Sequence, residues 1–311
     1  PKVAAYHRKV MDISANFSII NEANAAMDGR LNVLSCTDDE LKVELTKATT
    51  EAGKAALDAL ERALQDYRDG LIDVLVTAPI NKHTIQSENF KFPGHTEYIE
   101  ERVGEDQKND FRVALATGHI PVRDIAKTIT KELLVEKLTI FHRSLKQDFG
   151  IDCPRIAVFS LNPHAGDHGV IGSEETEVII PAIQEMMAKG VQCFGPYPAD
   201  GFMGSGNAFH FDGILAMYHD QGLAPFKALA MDEGVNFTAG LPIVRPSPAH
   251  GTAYEIAGQG VASESSFRQA IYTAIDVFRN RQIEKEISFR PLRKLYHDKR
   301  DDSDMLKLDQ E

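Results

Sequence analysis

The sequence has few cysteines, no tryptophan and no long apolar run. Its three cysteines, Cys36, Cys153 and Cys193, include no CxxC pair and are odd in number. This excludes a disulfide framework and favours a reducing compartment. No signal-peptide pattern occurs, and no apolar run approaches the roughly 18 residues of a membrane-spanning helix. The sequence therefore predicts a soluble, cytoplasmic protein.

Positive charge is also scarce. The chain carries 34 lysines and arginines against 46 aspartates and glutamates, a formal net charge of −12, and it contains no dense basic block. This balance argues against nucleic acid or an anionic membrane surface as the main partner. An anionic small-molecule substrate would need local positive charge instead.

Apolar residues make up 43% of the 311 residues, which allows a substantial core in one large or two medium domains. Helical patterns alternate with short apolar runs, which indicates an α/β layer architecture with mainly parallel strands. Helices are predicted at 41–69, across 125–149 and at 174–189, and a further helix is predicted to begin at Thr96. Strands are predicted at 72–78, 111–118, 155–161 and 213–218.

Polar side chains follow each predicted strand. Asn81 and Lys82 come after the first strand, His119 after the second, His164 after the third, and His219 with Asp220 after the fourth. In open α/β sheets the loops that leave the carboxyl ends of the strands form the ligand crevice. The pattern therefore predicts that these side chains lie in one cleft.

Three histidines at equivalent strand ends suggest a metal site, because neutral imidazoles suit zinc and related ions, and three protein ligands leave a position for substrate. Each histidine could equally be an ordinary loop residue. The long intervals between His119, His164 and His219 match no short zinc signature. From the residues alone, both interpretations stay open.

A second polar region follows residue 240. Arg245 ends an apolar stretch, His250 precedes a glycine, and Gly258 and Gly260 follow. Glycines let backbone amides approach a phosphate or nucleotide, but composition alone favours an ordinary loop leading into a helix near Ser263. Arg245 and Lys227 are either solvated cations or contacts for an anionic substrate.

Several blocks of the sequence together carry a specific resemblance that covers almost the whole chain. They are "VTAPINK", "FPGHTEYIEER", "VALATGHIPVRDIA", "LNPHAGDHGVIGSEE", "AMYHDQGLAPFK" and "GVNFTAGLPIVRPSPAHGTAYEIAG". With these blocks the chain resembles the 4-hydroxythreonine-4-phosphate dehydrogenase family, NAD-dependent enzymes of pyridoxal phosphate biosynthesis.

The resemblance implies an isocitrate/isopropylmalate dehydrogenase-like fold, with two α/β/α domains around a cleft and an active site completed across a homodimer. Residues 1–92 with about 240–311 would form the first domain, which carries a nucleotide loop. Residues from about 93 to 239 would form the second domain, with the metal and substrate residues and the dimer contacts.

The resemblance also implies the site residues. The metal ligands fall on His119, His164 and His219, and the metal is zinc, with magnesium and cobalt as alternatives. Substrate contacts fall on His95, Thr96, Lys227, Asn236 and Arg245. Contacts to NAD or NADP fall on His250, Gly251 and Thr252. His219, Asp220 and Lys227 are the candidate catalytic residues, and Asp220 could orient His219 or accept a proton.

Two features depart from the family pattern. The family's first strand and glycine loop have no counterpart before Pro1, and the stretch between Arg102 and Asp110 is shorter. Segments omitted from the sequence would explain both. True deletions would instead remove a core strand and part of the substrate cleft.

By resemblance, the enzyme oxidises and decarboxylates 4-phosphooxy-L-threonine. A paralogous dehydrogenase of threonate or erythronate 4-phosphate would have the same fold and cofactors, and the sequence does not distinguish the two. A hydrolase, a phosphate acyltransferase and a non-catalytic sugar-phosphate binding module are the alternatives from other classes. Neither the hydrolase nor the acyltransferase would need the nucleotide loop.

Overall fold

The computed structural model describes residues 1–37, 41–79, 81 and 111–289, together with the backbone of 100–101. Eight α-helices are present in these ranges: α1 (Lys2–Val10), α2 (Thr50–Arg68), α3 (Ile125–Thr128), α4 (Lys131–Gln147), α5 (Ile180–Ala188), α6 (Ala199–Gly204), α7 (His219–Ala230) and α8 (Ser265–Phe289). The nine strands are β1 (Ser18–Ile20), β2 (Asn32–Leu34), β3 (Glu100–Glu101), β4 (Val113–Leu115), β5 (Arg155–Phe159), β6 (Gln192–Tyr197), β7 (Gly213–Ala216), β8 (Val235–Thr238) and β9 (Pro246–Pro248).

A four-stranded parallel sheet in the order β4-β7-β5-β6 forms the centre of the best-packed region. β4, β7 and, after its first residue, β5 are buried and apolar on both faces, as expected for a parallel sheet covered by helices on both sides. Alternate residues point to opposite layers: Leu215 lies in one apolar cluster with α4 and α5, and Ile214 lies in another with α6 and α7. The predicted α/β class with mainly parallel strands is thereby confirmed.

Two smaller sheets complete the described part. β1 and β2 form a parallel pair, and β3, β8 and β9 form an antiparallel sheet in that order, with α8 packed against β8 and β9. The division of the chain into two domains at about residues 92 and 240 stays a prediction. None of the helices within the described ranges is both long enough and apolar enough to cross a membrane.

Three predicted elements differ in the structure. The helix predicted for 41–69 begins at Thr50, because the hydroxyl of Thr49 caps it by accepting a hydrogen bond from the Ala52 amide (3.2 Å). The helix predicted for 174–189 opens with a π-helical turn, Glu175–Ile179, before α5. The strand predicted for 72–78 makes only one β-bridge, between Val74 and Val244, and the helix predicted from Thr96 lies outside the described residues.

One buried ion pair joins α8 to the end of α4. Arg281 Nε donates to Asp148 Oδ1 (2.6 Å), and the side chains of Arg281 and Asp148 are 19% and 5% exposed. Ser144 Oγ donates to the other carboxylate oxygen (2.6 Å), and Arg281 Nη1 also donates to the carbonyl oxygens of Leu241 and Pro242. The pair therefore connects the central layer, the segment before β9 and the last helix.

We expect Arg281→Met to lower the free energy of unfolding by about 3 kcal/mol, because it leaves the Asp148 carboxylate buried without its cation. Urea unfolding at neutral pH measures this change. Lys189→Met is the matched control, since it removes an exposed ion pair to Glu185 and should cost less than about 1 kcal/mol. An equal loss of unfolding free energy in the two variants would show that the buried Arg281–Asp148 pair is no more important for stability than the exposed one.

Candidate functional site

The carboxyl ends of β4, β7 and β5 lie side by side at one edge of the parallel sheet. His119 follows β4, His219 is the first residue of α7 directly after β7, and His164 follows β5. Parallel neighbours direct their exit loops to the same edge. The three predicted histidines therefore leave adjacent strands.

His119 and His219 come together. Their ring centroids are 5.1 Å apart and their planes are inclined by 50°. His119 is exposed, and the side chain of His219 is 32% exposed, so both rings are open to a ligand from solvent. The structure thus places two of the three predicted metal ligands next to each other.

Asp220 orients the ring of His219. Its Oδ1 lies 2.8 Å from His219 Nδ1, while the carboxylate itself is largely exposed. In a neutral imidazole with its proton on Nδ1, that nitrogen donates to Asp220 and the lone pair of Nε2 is left for a ligand. A histidine fixed by a carboxylate in this way is the usual arrangement in metal sites. The geometry favours the orienting role for Asp220.

A close helix–sheet approach sets the position of His219. Gly222, in the first turn of α7, lies so near β4 that a Cβ atom there would be 2.7 Å from Leu115 Cδ2 and 2.9 Å from Val113 Cγ1. Only a residue without a side chain permits this approach without displacing the sheet. The glycine therefore brings the start of α7, and His219 with it, close to the end of β4.

His164 lies on an exposed left-handed turn. Residues 164–168 all have positive φ angles, with φ 53° at His164, and four of the five are not glycine. Such a run is costly for L-residues, so surrounding contacts must hold it. At Gly166, which is buried, the turn lies so near its surroundings that a Cβ atom there would be 2.6 Å from a carboxylate oxygen of Glu175.

Glu175 is the side chain that secures this loop. It is 2% exposed, and its carboxylate accepts hydrogen bonds from the amides of Leu161 (2.9 Å) and Asn162 (2.7 Å) and from Asn162 Nδ2 (3.0 Å). Glu174 also accepts from Asn162 Nδ2 (2.7 Å). The two glutamates anchor the chain immediately before His164.

The structure does not assemble a complete three-ligand site. Within residues 1–37, 41–79, 81 and 111–289, no three His, Cys, Asp or Glu side chains form a group that could hold a metal ion. His119 and His219 are together, and His164 is not grouped with them. The three-histidine ligand set stays a prediction.

Two predicted substrate contacts share one face of the β8–β9 ladder. Asn236 pairs with Ser247, and Thr238 lies opposite Arg245, so the alternation of side chains puts Asn236 and Arg245 on the same face. Asn236 Oδ1 is buried and has no hydrogen-bond partner in the described part of the chain. A buried polar atom without a partner is the sign of a group that a ligand or water satisfies.

Arg245 is a half-buried cation without a carboxylate partner among the described residues. Burial lowers the pKa of its guanidinium from the usual value, because a low-dielectric surrounding disfavours the charged form. An anionic ligand would remove this penalty. Arg245 is therefore the described side chain best suited to hold a phosphate or carboxylate.

The remaining predicted residues are either exposed or outside the described part of the chain. Lys227 is exposed on α7, eight residues beyond His219 and thus about 12 Å further along the helix axis. His250, Gly251 and Thr252 are exposed, with His250 Nδ1 2.9 Å from the Gly251 carbonyl oxygen. His95 and Thr96 lie outside the described residues.

Three side chains that hold the strand ends together have no role in the sequence-based predictions. Thr117 Oγ1 donates to the Met217 carbonyl oxygen (2.7 Å), Gln221 reaches both Met217 and Ser160, and Glu175 anchors the loop after β5. For Thr117 and Gln221 the only signal in the sequence is that each lies two residues from a candidate histidine, and Glu175 has no such signal. Their partners lie 14 to 100 residues away in three of these bonds, so no local pattern could identify them.

These features define a class: an α/β protein whose candidate ligand site, with paired histidines, lies at the carboxyl edge of a parallel sheet. A model of the family described as pyridoxal phosphate biosynthetic protein PdxA matches residues 2–274. A 4-hydroxythreonine-4-phosphate dehydrogenase of Bacteroides thetaiotaomicron is 73% identical over 316 residues, which cover 99% of this chain and 87% of that protein.

Solved structures with a similar fold belong to proteins of the same name. A 4-hydroxythreonine-4-phosphate dehydrogenase of Klebsiella pneumoniae superposes with a TM-score of 0.73 at 32% identity, covering 87% of this chain and 86% of that one. One from Burkholderia phymatum superposes with a TM-score of 0.68 at 33% identity, covering 87% and 84%. The chain belongs to the PdxA family of 4-hydroxythreonine-4-phosphate dehydrogenases, and the predicted membership and oxidoreductase class are confirmed.

Proposed function

We propose that this protein catalyses the NAD-dependent, divalent-metal-dependent oxidation and decarboxylation of 4-phosphooxy-L-threonine to 3-amino-2-oxopropyl phosphate. The C3 hydroxyl is oxidised to a ketone as NAD⁺ becomes NADH, and the resulting β-keto acid loses its carboxylate as carbon dioxide. The proton released in the first step is taken up in the second. The active protein would be a homodimer with an active site shared across the interface.

The observation that carries this proposal is the pairing of His119 and His219 at the strand ends. A zinc-bound imidazole nitrogen lies about 2.0–2.1 Å from the metal. The centroid of such a ring is then about 3 Å from the metal, and two rings of a tetrahedral set have centroids about 5 Å apart. The observed separation of 5.1 Å fits this arrangement. With the Nδ1 proton donated to Asp220, the lone pair of His219 Nε2 would be available to a metal.

In the proposed site, His119, His219 and His164 would hold the metal. When bound, a divalent cation supplies Lewis-acid polarisation of the substrate oxygen, and the nicotinamide supplies hydride acceptance. Neutral histidine ligands leave the charge of the cation undiminished. Asp220 would keep the His219 ring in one tautomer and one orientation. The ring would then not have to rotate or shift its proton during the reaction.

The other residues would bind and orient the substrate and the nucleotide. Arg245 offsets the charge of the phosphate or carboxylate, Asn236 Oδ1 accepts a hydrogen bond from the substrate, and Lys227 neutralises a second anionic group. His95 and Thr96 complete the substrate contacts, and the exposed backbone of residues 250–252 contacts NAD. The amine of the substrate would distinguish it from threonate and erythronate 4-phosphates, which carry a hydroxyl at that position.

The test is NADH formation, followed by its absorbance, with 4-phosphooxy-L-threonine, threonate 4-phosphate and erythronate 4-phosphate in turn, each with carbon dioxide release measured in parallel. We expect both products to form in equal amounts with 4-phosphooxy-L-threonine and only in the presence of a divalent metal. Faster turnover of a hydroxy acid would assign the protein to the paralogous activity. Failure of all three substrates would remove the dehydrogenase proposal.

A further inference from the structure

The sequence proline-serine-proline fixes the register of β9 against β8. The Ala249 amide donates to the Gly234 carbonyl oxygen (3.0 Å), and Ser247, two residues earlier, has the same orientation in the antiparallel ladder. Pro246 and Pro248 alternate with Ser247, so their nitrogens, which carry no hydrogen, point away from β8. A slip by one residue would place a proline where β8 accepts a hydrogen bond. Ser247 is therefore held at a fixed position opposite β8.

Ser247 shares a polar face of this ladder with two predicted substrate contacts. It lies directly opposite Asn236, and Arg245 is two residues away on the same strand face, at a distance of about 6.5 Å along the strand. All three residues are half-buried. The opposite face carries Phe237, which is 0% exposed and belongs to the same apolar cluster as Ala274 of α8. α8 therefore covers the apolar face and leaves the polar face to other contacts.

The polar groups of this face are not used within the described part of the chain. Asn236 Oδ1 is buried without a hydrogen-bond partner there, Arg245 has no carboxylate partner, and the Ser247 hydroxyl makes no hydrogen bond. Polar groups that are removed from water are normally paired in folded proteins. A cation, a hydroxyl donor and a carbonyl acceptor without partners on one strand face therefore indicate a place where a ligand completes the hydrogen bonding.

The helix behind the ladder holds this face in position. Ser266 of α8 is buried, and its Oγ donates to the Gly234 carbonyl oxygen (2.6 Å) and accepts from the Ala249 amide (3.3 Å). Gly234 directly precedes β8 and Ala249 directly follows β9, so the contact fixes the separation of the strands at the end nearest Ser247. Groups that are ordered before a ligand arrives cost less conformational entropy on binding.

We propose that Ser247 is a further substrate-binding residue, whose hydroxyl donates a hydrogen bond to the same phosphate group that Arg245 holds. This inference rests on the proposed function, because it assigns the phosphate of that substrate to this face. A phosphate presents several oxygens in different directions, so a guanidinium and a hydroxyl two residues apart on one strand can each bind a different oxygen. A carboxylate has two oxygens in one plane, and a guanidinium alone can satisfy both.

The experiment measures binding separately from turnover. Calorimetric titrations with inorganic phosphate and with 4-phosphooxy-L-threonine should show affinities reduced about 10-fold or more in Ser247→Ala, as expected for a lost hydrogen bond to a charged group. NAD affinity should not change. The KM for the substrate should rise with kcat unchanged, since the contact is present before and during the reaction. Ser247→Thr keeps the hydroxyl and should bind both phosphate probes as wild type does.

Two further variants make the result specific. Ser18→Ala is the matched control, because Ser18 is also a half-buried strand serine but lies on β1, in another sheet, and its loss should leave phosphate affinity unchanged. The double variant Arg245→Met/Ser247→Ala tests whether the two side chains bind one group. If they do, Ser247→Ala should weaken phosphate binding less in the Arg245→Met background than in wild type. Fully additive effects would place them at different groups and contradict the inference.

The outcomes separate this inference from the proposed function. Weaker phosphate binding in Ser247→Ala, restored in Ser247→Thr, supports the phosphate contact whether or not wild-type protein forms NADH. Wild-type phosphate affinity in a folded Ser247→Ala protein overturns the contact and leaves the proposed function intact. An equal loss of NAD affinity would place Ser247 at the nucleotide and would also overturn it. Wild-type protein that binds neither phosphate probe removes the contact and the proposed substrate together.

Discussion

Replacing His219 with alanine should reduce turnover more than about 100-fold, because loss of a group that merely orients a metal ligand already costs about 10- to 100-fold. The substitution removes an imidazole from the start of α7, where the side chain is partly exposed and belongs to neither apolar cluster. The fold should therefore persist. NADH formation and bound metal per chain, measured by elemental analysis after dialysis, should fall together.

Two further histidine variants make this result specific. His210→Ala removes an exposed histidine that precedes β7 and so does not follow the carboxyl end of a strand, and it should leave metal content and turnover unchanged. His164→Ala tests the ligand that the structure does not group with the other two, and it should match His219→Ala. Full metal content and normal turnover in His164→Ala would restrict the site to the His119–His219 pair.

The second large effect is expected at Arg245. Arg245→Met should weaken binding of the phosphorylated substrate about 30-fold or more, since truncating one partner of a buried charge pair costs about 2–5 kcal/mol and about 1.4 kcal/mol is tenfold. NAD affinity should change little. The KM for each of the two ligands, determined with the other saturating, provides the comparison.

The stability of the same variant gives an independent check. Burial lowers the pKa of Arg245, which means that the free protein bears a cost for keeping this group charged. Methionine removes that cost, so the variant should unfold at the same or a higher temperature than wild type. Arg279→Met, at an exposed position on α8, is the control and should leave both KM values unchanged. A lower unfolding temperature with equal losses for substrate and NAD would indicate a damaged cleft instead.

Most of the central sheet could be predicted from the sequence because its strands are short, apolar and separated by clear helical patterns. The runs at 113–115, 155–159 and 213–216 are strands, and the histidines follow three of them as expected. β6, β8 and β9 were not predicted. "QCFGPY" and "PSP" contain glycine or proline and lack a strand-like alternation, and "VNFT" alternates over only four residues. β6 pairs with β5, and β8 and β9 pair with each other.

The structure also explains why the segment at 72–78 is not a regular strand. It has the composition of one, but it pairs with the chain near Val244 through a single bridge, with hydrogen bonds from the Leu75 and Thr77 amides. Strand composition reports that a segment fits a pleated, half-buried surface. A continuous ladder also requires a neighbour in register over several residues, and that is a property of the tertiary arrangement.

The sequence by itself determined the α/β class and the positions of the candidate ligands, because apolar periodicity and the polar residues after each strand are local features. The resemblance of its sequence blocks indicated the family. Only the tertiary structure decided that His119 and His219 meet while His164 stands on a separate left-handed turn, and that Asn236 and Arg245 share a face of one ladder. It also revealed Gln221 as the link between two strand ends. These relations depend on strand order, register and hydrogen bonds between residues far apart in the chain, and such distances are fixed only when the layers pack.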